Sequence, residues 1–224
     1  FPPGTDSFLL SAFPKLKPGL RVCDLGSGTG LLGLLLLQRQ PELTVTGVEL
    51  LPEAADLSTQ TAAANSLEDR LSVKVGDLRR VRELLPAAAF DLVVCNPPYY
   101  PAASGRLPMS DTRRTARSEL GCTLQEVCAA ASYLLPWSGR FCLVHKPERL
   151  GDLCCALREA GLELKRLRPV CPRAGAAPSL LLAEGRRGGR PGVEMLPPLV
   201  LQGTDGAPTA ELDAIYFRTQ EETL

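Results

Sequence analysis

The strongest constraint on the fold is a glycine-rich turn that lies between two apolar segments near the start of the chain. Residues 20–25 have the short apolar pattern of a buried strand, and residues 31–37 are all leucine except Gly33. Between them lies Gly26-Ser27-Gly28-Thr29-Gly30. Glycines permit a tight turn and let a ligand touch the backbone, while the start of a helix offers free N–H groups. The order strand, glycine-rich turn, helix therefore predicts a nucleotide-binding unit.

The rest of the chain continues this alternation of strands and helices. Further strands are predicted over 44–49, 71–75, 90–95, 139–145, 162–171 and 179–183, and further helices over 52–65, 79–85, 123–135 and 148–160. A long polar loop is predicted over 102–118. Early alternation followed by a late strand pair is typical of a mostly parallel sheet with an antiparallel edge. We predict an α/β, Rossmann-like fold: a seven-stranded, mostly parallel sheet with helices on both faces.

Length and composition fit one globular domain. The chain has 224 residues, of which 45% are hydrophobic and 22% charged, so it is not a disordered sequence. We expect a single domain over 1–224, with a core at about 15–185 and a C-terminal tail, 186–224, packed on it. The tail begins with a turn-rich break over residues 186–192.

Charge alone neither favours nor excludes a nucleic acid, because 25 basic residues balance 25 acidic ones. The segment from Arg158 to Arg190, however, contains eight basic residues and only three acidic ones. This excess predicts either a surface for an anionic partner or simply a solvated face.

The eight cysteines show no Cys-x-x-Cys spacing, and Cys23, Cys95 and Cys142 fall inside predicted strands. Buried free thiols in a cytoplasmic protein fit this pattern better than disulfides. A single histidine gives no expectation of a zinc site. The apolar run at 31–37 is too short to cross a membrane.

Three carboxylates lie at or just beyond the ends of predicted strands. Asp24 precedes the first glycine, Glu49 ends the second strand and Asp77 follows the third. The glycine spacing and Glu49 also match a dinucleotide fingerprint, but a carboxylate at Asp24 would repel a pyrophosphate and attract an ammonium group. Asp77 can accept a hydrogen bond from an adenine amine. The set predicts a site for a cationic, amino-acid-bearing adenosine, although each acid alone is equally well explained as a helix cap or a solvated strand end.

A second motif, Asn96-Pro97-Pro98-Tyr99-Tyr100, follows the strand predicted at 90–95. The two prolines lack an N–H group and restrict the residues before them, so the chain leaves the sheet in an extended conformation. Asn96 and Tyr99 are thereby displayed at the carboxyl end of a strand, where open α/β sheets bind ligands. Taken alone, the motif is better explained as a proline-rich turn, and it is the glycine-rich motif upstream that favours a functional site.

Together, these motifs resemble those of class I S-adenosylmethionine-dependent methyltransferases of the amino-methylating branch. Three more segments resemble the tRNA1(Val) adenine-37 N6-methyltransferase family: residues 1–10, 116–119 and 145–150. The resemblance extends from Phe1 to about Tyr216. It implies S-adenosylmethionine as cofactor and an RNA substrate, with tRNA favoured. It also implies a cytoplasmic monomer or homodimer that needs no metal and no membrane.

The resemblance further implies which residues form the site. Catalytic roles fall on Asn96, Pro97 and Tyr99: the Asn96 amide oxygen and the Pro97 carbonyl hold the hydrogens of an exocyclic amine, and Tyr99 stacks on the base. The implied cofactor contacts are Asp24, Gly26, Ser27, Gly28, Gly30, Glu49, Leu50, Asp77, Leu78 and Asn96. The implied substrate contacts are Tyr99, Tyr100, Arg113, Arg114 and Arg117. His145 is expected to be a structural or surface residue rather than a base.

Other functions stay open at the level of sequence. The same Asn-Pro-Pro-Tyr motif can serve the amide nitrogen of a protein glutamine, although release-factor methyltransferases usually carry an additional helical N-terminal domain. A guanine N2 or DNA adenine methyltransferase is a further alternative. A non-catalytic RNA-binding module with a vestigial fold is the alternative from another class, and the intact Asp24, Glu49 and Asn96 argue against it.

Overall fold

A computed structural model describes residues 4–97 and 122–218 of the protein, and one mixed sheet carries the fold. Its strands are β1 Arg21–Leu25, β2 Thr44–Glu49, β3 Leu71–Val75, β4 Leu92–Cys95, β5 Arg140–His145, β6 Leu162–Arg173, β7 Leu180–Arg187, β8 Glu194–Met195 and β9 Leu199–Gln202. The helices are α1 Thr5–Ser11, α2 Leu31–Arg39, α3 Pro52–Ala64, α4 Val81–Leu84, α5 Leu124–Leu134, α6 Leu150–Glu159 and α7 Ala210–Ile215. Short 3-10 turns at Leu78–Arg80 and Pro147–Arg149 precede α4 and α6.

The strand order reverses between β1 and β4, which are hydrogen-bonded neighbours near the centre of the sheet. The order across the sheet is β3-β2-β1-β4-β5-β7-β6-β8, with β9 also paired to β6. Strands β1 to β5 are mutually parallel, whereas β7 runs antiparallel to β5 and β6. From β1 the chain proceeds outward through β2 to β3 and then returns to form β4 on the other side of β1. Such a reversal leaves a crevice at the carboxyl ends of the two central strands, where ligands bind in open α/β sheets.

Helices cover both faces of the sheet, as predicted. One buried layer joins β1, β4 and β5 to α5 and α6, with Phe141, Leu134 and Leu153 among its fully buried side chains. The other layer joins the opposite face to α1, α2, α3 and α7, with Leu10 and Leu36 fully buried. Strand β4 is buried at all four residues, as required of a parallel strand covered on both faces.

The C-terminal segment departs from the prediction at its start. Residues 186–192 were expected to break the chain, but β7 continues through Arg186 and Arg187. Arg186 pairs with Arg140 of β5, and the Arg187 N–H donates to the Gly139 carbonyl at 3.0 Å. These ladder hydrogen bonds outweigh the local turn tendency of the glycines that follow. Beyond the seven predicted strands, the segment adds β8 and β9 along β6.

All eight cysteines are free thiols in the structure, and Cys23, Cys95 and Cys142 are buried in strands as expected. Among residues 4–97 and 122–218, no group of histidine, cysteine or acidic side chains is arranged to hold a metal ion. No helix in the same ranges is long and apolar enough to span a membrane.

Candidate active site

The glycine-rich turn leaves open space above its backbone. Gly26, Gly28 and Gly30 have φ values of 74°, 54° and 84°, a left-handed region in which side chains are strained. A Cβ atom added to Gly26 or Gly28 would meet no atom of the described residues within 4 Å, whereas one added to Gly30 would lie 2.4 Å from Ser58 Oγ. The first two glycines therefore face open space, and Gly30 packs against Ser58 of α3.

Asp24 is a buried carboxyl group in β1, two residues before Gly26. Its exposed fraction is 2%, and its Oδ2 atom has no hydrogen-bond partner within the described part of the chain. Burial, followed by the negative charge of Glu49, raises the pKa of Asp24 to about 7. A buried carboxyl group with an unused oxygen is an unusual cost for a fold to carry. Such an atom suits a cationic ligand that completes its hydrogen bonding.

Glu49 ends β2 and is bound by two backbone N–H groups. The Gly28 N–H donates to Oε2 at 2.8 Å, and the Leu51 N–H donates to Oε1 at 2.9 Å. These bonds tie the end of β2 to the glycine-rich turn. Each oxygen keeps a further lone pair, so the carboxylate can still accept hydrogen bonds from ligand hydroxyls. Leu50 lies beside it and is half-buried.

Asp77 caps the 3-10 turn after β3 and is engaged by Arg79. It accepts a hydrogen bond from the Arg79 backbone N–H at 2.9 Å and from the guanidinium Nε at 2.8 Å. The hydrogen bond from the Arg79 side chain is the main cause of a lowered pKa of Asp77. The helix-cap alternative considered for this acid is thus realised in the structure. An adenine amine would have to share the carboxylate with Arg79. Leu78, which follows, packs partly buried against the core.

The Ser27 side chain points into the sheet. A Cβ atom added to Gly47 would lie only 2.4 Å from the Ser27 Oγ atom. This oxygen has no hydrogen-bond partner among the residues that the structure describes. The Ser27 backbone N–H donates to the Val48 carbonyl at 3.2 Å. Ser27 therefore shapes the turn from beneath.

Asn96 lies directly beyond β4, beside the end of β1. Strand register aligns Asp24 with Val94, so Asp24 and Asn96 lie at the ends of neighbouring strands. The Asn96 side chain is partly buried, and its Nδ2 donates a hydrogen bond to Ser7 Oγ of α1 at 3.2 Å. Pro97 is buried. The remaining members of the predicted catalytic and substrate sets lie outside the described residues: Pro98, Tyr99, Tyr100, Arg113, Arg114 and Arg117.

The described candidate residues therefore meet along one edge of the sheet. In sheet order, Asp77 lies just after β3, Glu49 ends β2, Asp24 is the penultimate residue of β1 and Asn96 directly follows β4. Ser7 was not predicted from the sequence. It reaches Asn96 across 89 residues of sequence, and no local pattern in the chain indicates such a contact. The arrangement offers acceptors for an ammonium group, a diol and an aromatic amine in a row.

His145 ends β5 and has the character of a structural residue. It is 8% exposed, and its Nδ1 accepts a hydrogen bond from the Lys146 backbone N–H at 2.7 Å. Burial, and then the charge of Arg149, lowers the pKa of the His145 imidazole. The expected structural role thus fits its surroundings.

The basic excess between Arg158 and Arg190 is largely consumed by internal contacts. Ion pairs join Arg158 to Glu163, Arg166 to Glu184 and Arg168 to Glu211. Lys165 and Arg187 donate to backbone carbonyl groups. Within residues 4–97 and 122–218, three of the eight side chains have no such partner: Arg173, Arg186 and Arg190. The positive surface is therefore smaller than the sequence count suggests.

Comparison with known proteins shows which family of enzymes the chain resembles. Residues 3–110 match the family described as Methyltransferase small domain. A tRNA1(Val) (adenine(37)-N6)-methyltransferase of Porphyromonas gingivalis is 35% identical over 190 residues, which cover 82% of this chain and 73% of the relative. One of the same description from Aeromonas hydrophila is 33% identical over 185 residues, covering 82% and 76%.

A solved structure shows the same fold. A predicted O-methyltransferase from Agrobacterium tumefaciens superposes with a TM-score of 0.77, and the match covers 96% of this chain and 97% of that one. The two sequences are 22% identical. The likeness therefore concerns the arrangement of the sheet and helices, because one fold can serve many reactions.

Proposed function

The chain belongs to the tRNA1(Val) (adenine(37)-N6)-methyltransferase family, and on that premise we propose how its residues carry out the reaction. It is an S-adenosylmethionine-dependent methyltransferase. The proposed substrate is an adenine of tRNA near the anticodon, methylated on its exocyclic N6. We further propose that residues 1–224 act as one domain, in the cytoplasm, as a monomer or homodimer.

The described residues fit the cofactor. Asp24 offers a buried oxygen without a partner to the ammonium group of the methionine portion. Gly26 and Gly28 leave room for the ligand against the backbone, and Glu49 can accept from the ribose hydroxyls. Asp77 and Leu78 flank the place proposed for the adenine ring. When bound, the cofactor supplies an electrophilic sulfonium methyl group and leaves as a neutral thioether.

Asn96 is proposed to orient the nucleophile. The exocyclic amine of adenine is a weak nucleophile because its lone pair is conjugated with the ring. The Asn96 amide oxygen and the Pro97 carbonyl accept hydrogen bonds from its two N–H groups, and this turns the nitrogen lone pair toward the methyl group. Transfer of a methyl group to N6 would place positive charge on that nitrogen, and these two acceptors would stabilise it. The surplus proton then passes to solvent. Positioning and electrostatics carry the reaction without a strong base.

The observation that carries this proposal is the register between β1 and β4. It pairs Asp24 with Val94, two residues before Asn96, so the proposed cofactor acid and the proposed amine acceptor lie close to the carboxyl ends of adjacent strands. A methyl donor held over the glycine-rich turn would then face an amine held by Asn96. The target base must leave its stack to enter such a site.

We propose that the residues that bind the RNA lie outside the set formed by Asp77, Glu49, Asp24 and Asn96. The sequence beyond the Asn-Pro-Pro-Tyr motif carries Arg113, Arg114 and Arg117. The exposed Arg173 ends β6 at the same edge of the sheet as the site. Arginine side chains bind phosphates through charge-assisted hydrogen bonds. These groups are proposed to hold the tRNA while its adenine occupies the site.

Transfer of a labelled methyl group tests the function directly. The protein is incubated with labelled S-adenosylmethionine and, separately, with unmodified total tRNA, duplex DNA and a release factor. We expect label in tRNA alone. Label in the release factor would assign the protein to glutamine methylation instead. Cofactor and tRNA binding without any transfer would support a non-catalytic RNA-binding module.

A further inference from the structure

A side-chain contact ties the proposed amine acceptor to the N-terminal helix. Asn96 Nδ2 donates to Ser7 Oγ at 3.2 Å, and Ser7 is 8% exposed within α1. Asn96 follows the fully buried strand β4, so its backbone is fixed. Its carboxamide can still rotate about the last side-chain bond, which exchanges its oxygen and nitrogen ends. Rotation of the carboxamide would break the hydrogen bond from Nδ2 to Ser7 Oγ.

The two ends of the carboxamide are not equivalent for the reaction. An adenine amine presents hydrogens, so only the Oδ1 end can bind it, whereas a rotated amide would set one N–H donor against another. A partner that accepts from Nδ2 favours the orientation in which Nδ2 faces Ser7 and Oδ1 faces away from it. We propose that Ser7 is a positioning residue for methyl transfer, which holds the Asn96 carboxamide with Oδ1 toward the target amine. The proposal rests on the function proposed above and adds a residue to it.

The helix that carries Ser7 is itself anchored. The Phe8 and Tyr216 rings stack with centroids 4.4 Å apart and planes 7° from parallel. The Tyr216 hydroxyl donates to Thr5 Oγ1 at 3.0 Å. Helix α1 has only seven residues and would not be stable alone. These contacts with the end of the chain fix the Ser7 oxygen in space, as an orienting group must be.

Steady-state kinetics with tRNA separates positioning from folding. Ser7→Ala is expected to lower kcat by about tenfold, the effect of one lost orienting hydrogen bond. The KM for S-adenosylmethionine should stay within twofold of the parent value. Ser7→Thr, which keeps a hydroxyl, should restore most of kcat. In an Asn96→Ala background, Ser7→Ala should cost less than twofold, because two residues that act through one contact are not additive.

Ser11→Ala is the matched control. Ser11 lies on the same helix with 0% exposure, and its hydroxyl contacts the Phe8 carbonyl and Arg39 rather than Asn96. This variant should lower the melting temperature at least as much as Ser7→Ala and leave kcat unchanged. Equal losses of kcat in the two variants, or full additivity with Asn96→Ala, would overturn the proposal in favour of a packing role.

A second readout needs no RNA and therefore stands apart from the proposed function. The side-chain NH2 signals of Asn96 are assigned in a 15N–1H spectrum by their loss in Asn96→Ala. The proposal expects them to shift in Ser7→Ala and to keep their parent positions in Ser11→Ala. Unchanged signals in Ser7→Ala would refute the contact itself. If they shift while wild-type protein methylates no tRNA, the orienting contact exists but the proposed function fails.

Discussion

The Gly28 N–H donates a hydrogen bond to Glu49 Oε2 at 2.8 Å, so the acid at the end of β2 is tied to the turn after β1. Because the Leu51 N–H occupies the other oxygen, Glu49 is held in one orientation before any ligand binds. A carboxylate fixed in this way loses little conformational entropy when it accepts hydroxyl groups. We therefore regard Glu49 as a pre-organised hydrogen-bond acceptor for the ribose hydroxyls that it is proposed to bind.

The first prediction concerns Glu49. Glu49→Ala should weaken S-adenosylmethionine binding by about 1–3 kcal/mol, because charge-assisted hydrogen bonds to the ribose are lost and the turn loses its anchor. The exposed acid Glu68 provides a control of equal charge change, and Glu68→Ala should bind like the parent. Calorimetry measures both variants. Tight binding of NAD, or parent affinity in Glu49→Ala, would contradict the assignment.

The second prediction concerns the stability cost of Asp24. Its pKa is raised from 3.8 to about 7, so the folded state retains a proton that the unfolded state loses between about pH 4 and 7. Stability should therefore fall as pH rises through that window, by up to about 4 kcal/mol from this group. Asp24→Asn removes the buried charge and should unfold at a higher temperature than the parent at pH 8, but not at pH 4. The melting temperatures of the parent and of Asp24→Asn at pH 4 and pH 8 test this prediction. A lower melting temperature of Asp24→Asn than of the parent at pH 8 would contradict it.

The third prediction concerns cofactor binding and pH. An ammonium group binds the ionised form of Asp24, so its affinity should fall as pH drops below about 7, by up to tenfold per unit. S-adenosylhomocysteine serves as a stable probe, since its α-amino group is mostly protonated at pH 6 to 7. Calorimetry at pH 6 in buffers of different ionisation enthalpy should detect proton release on binding. Equal affinity at pH 6 and 8 would place the ammonium group elsewhere.

The fourth prediction concerns the RNA. Arg113→Ala with Arg114→Ala should weaken tRNA binding and flatten its salt dependence by about 0.7–0.9 per lost phosphate contact. Cofactor binding should not change. Arg21→Ala with Arg158→Ala removes two cations already paired with Asp91 and Glu163 and serves as the control. Filter binding at several salt concentrations compares the slopes. A parent slope in the first variant would remove this segment from the RNA interface.

The central strands could be predicted from sequence because their boundaries are marked locally. Strands β2 and β3 begin and end at the predicted residues, each being a short run bounded by turns or polar residues. Helix α1 was not predicted: it has seven residues, and long-range contacts such as the Phe8–Tyr216 stack hold it in place. Strand β7 was predicted too short because its last pairs depend on β5, which is distant in sequence.

The candidate site divides in the same way. Asp24, Glu49 and Asn96 could be named as candidates because each lies at or just beyond the end of a predicted strand. The structure brings them to one edge because the carboxyl ends of parallel strands share that edge. Sequence could not show that Arg79 engages Asp77, or that Ser7 reaches Asn96, since both depend on side-chain geometry. It also overstated the basic surface, because the ion pairs of Arg166 and Arg168 form only in the fold.

The central claim is that Asn96 serves the transfer of a methyl group to N6 of a tRNA adenine. It is tested most directly by supplying a deuterated methyl donor, digesting the tRNA and identifying the labelled nucleoside by mass spectrometry in a single-turnover time course. Wild-type protein should yield labelled N6-methyladenosine. Asn96→Ala should bind the cofactor like the parent yet form this product about a hundredfold more slowly or worse, as when one oriented group is lost from a transition state. Label in another nucleoside, or a parent rate in Asn96→Ala, would contradict the account.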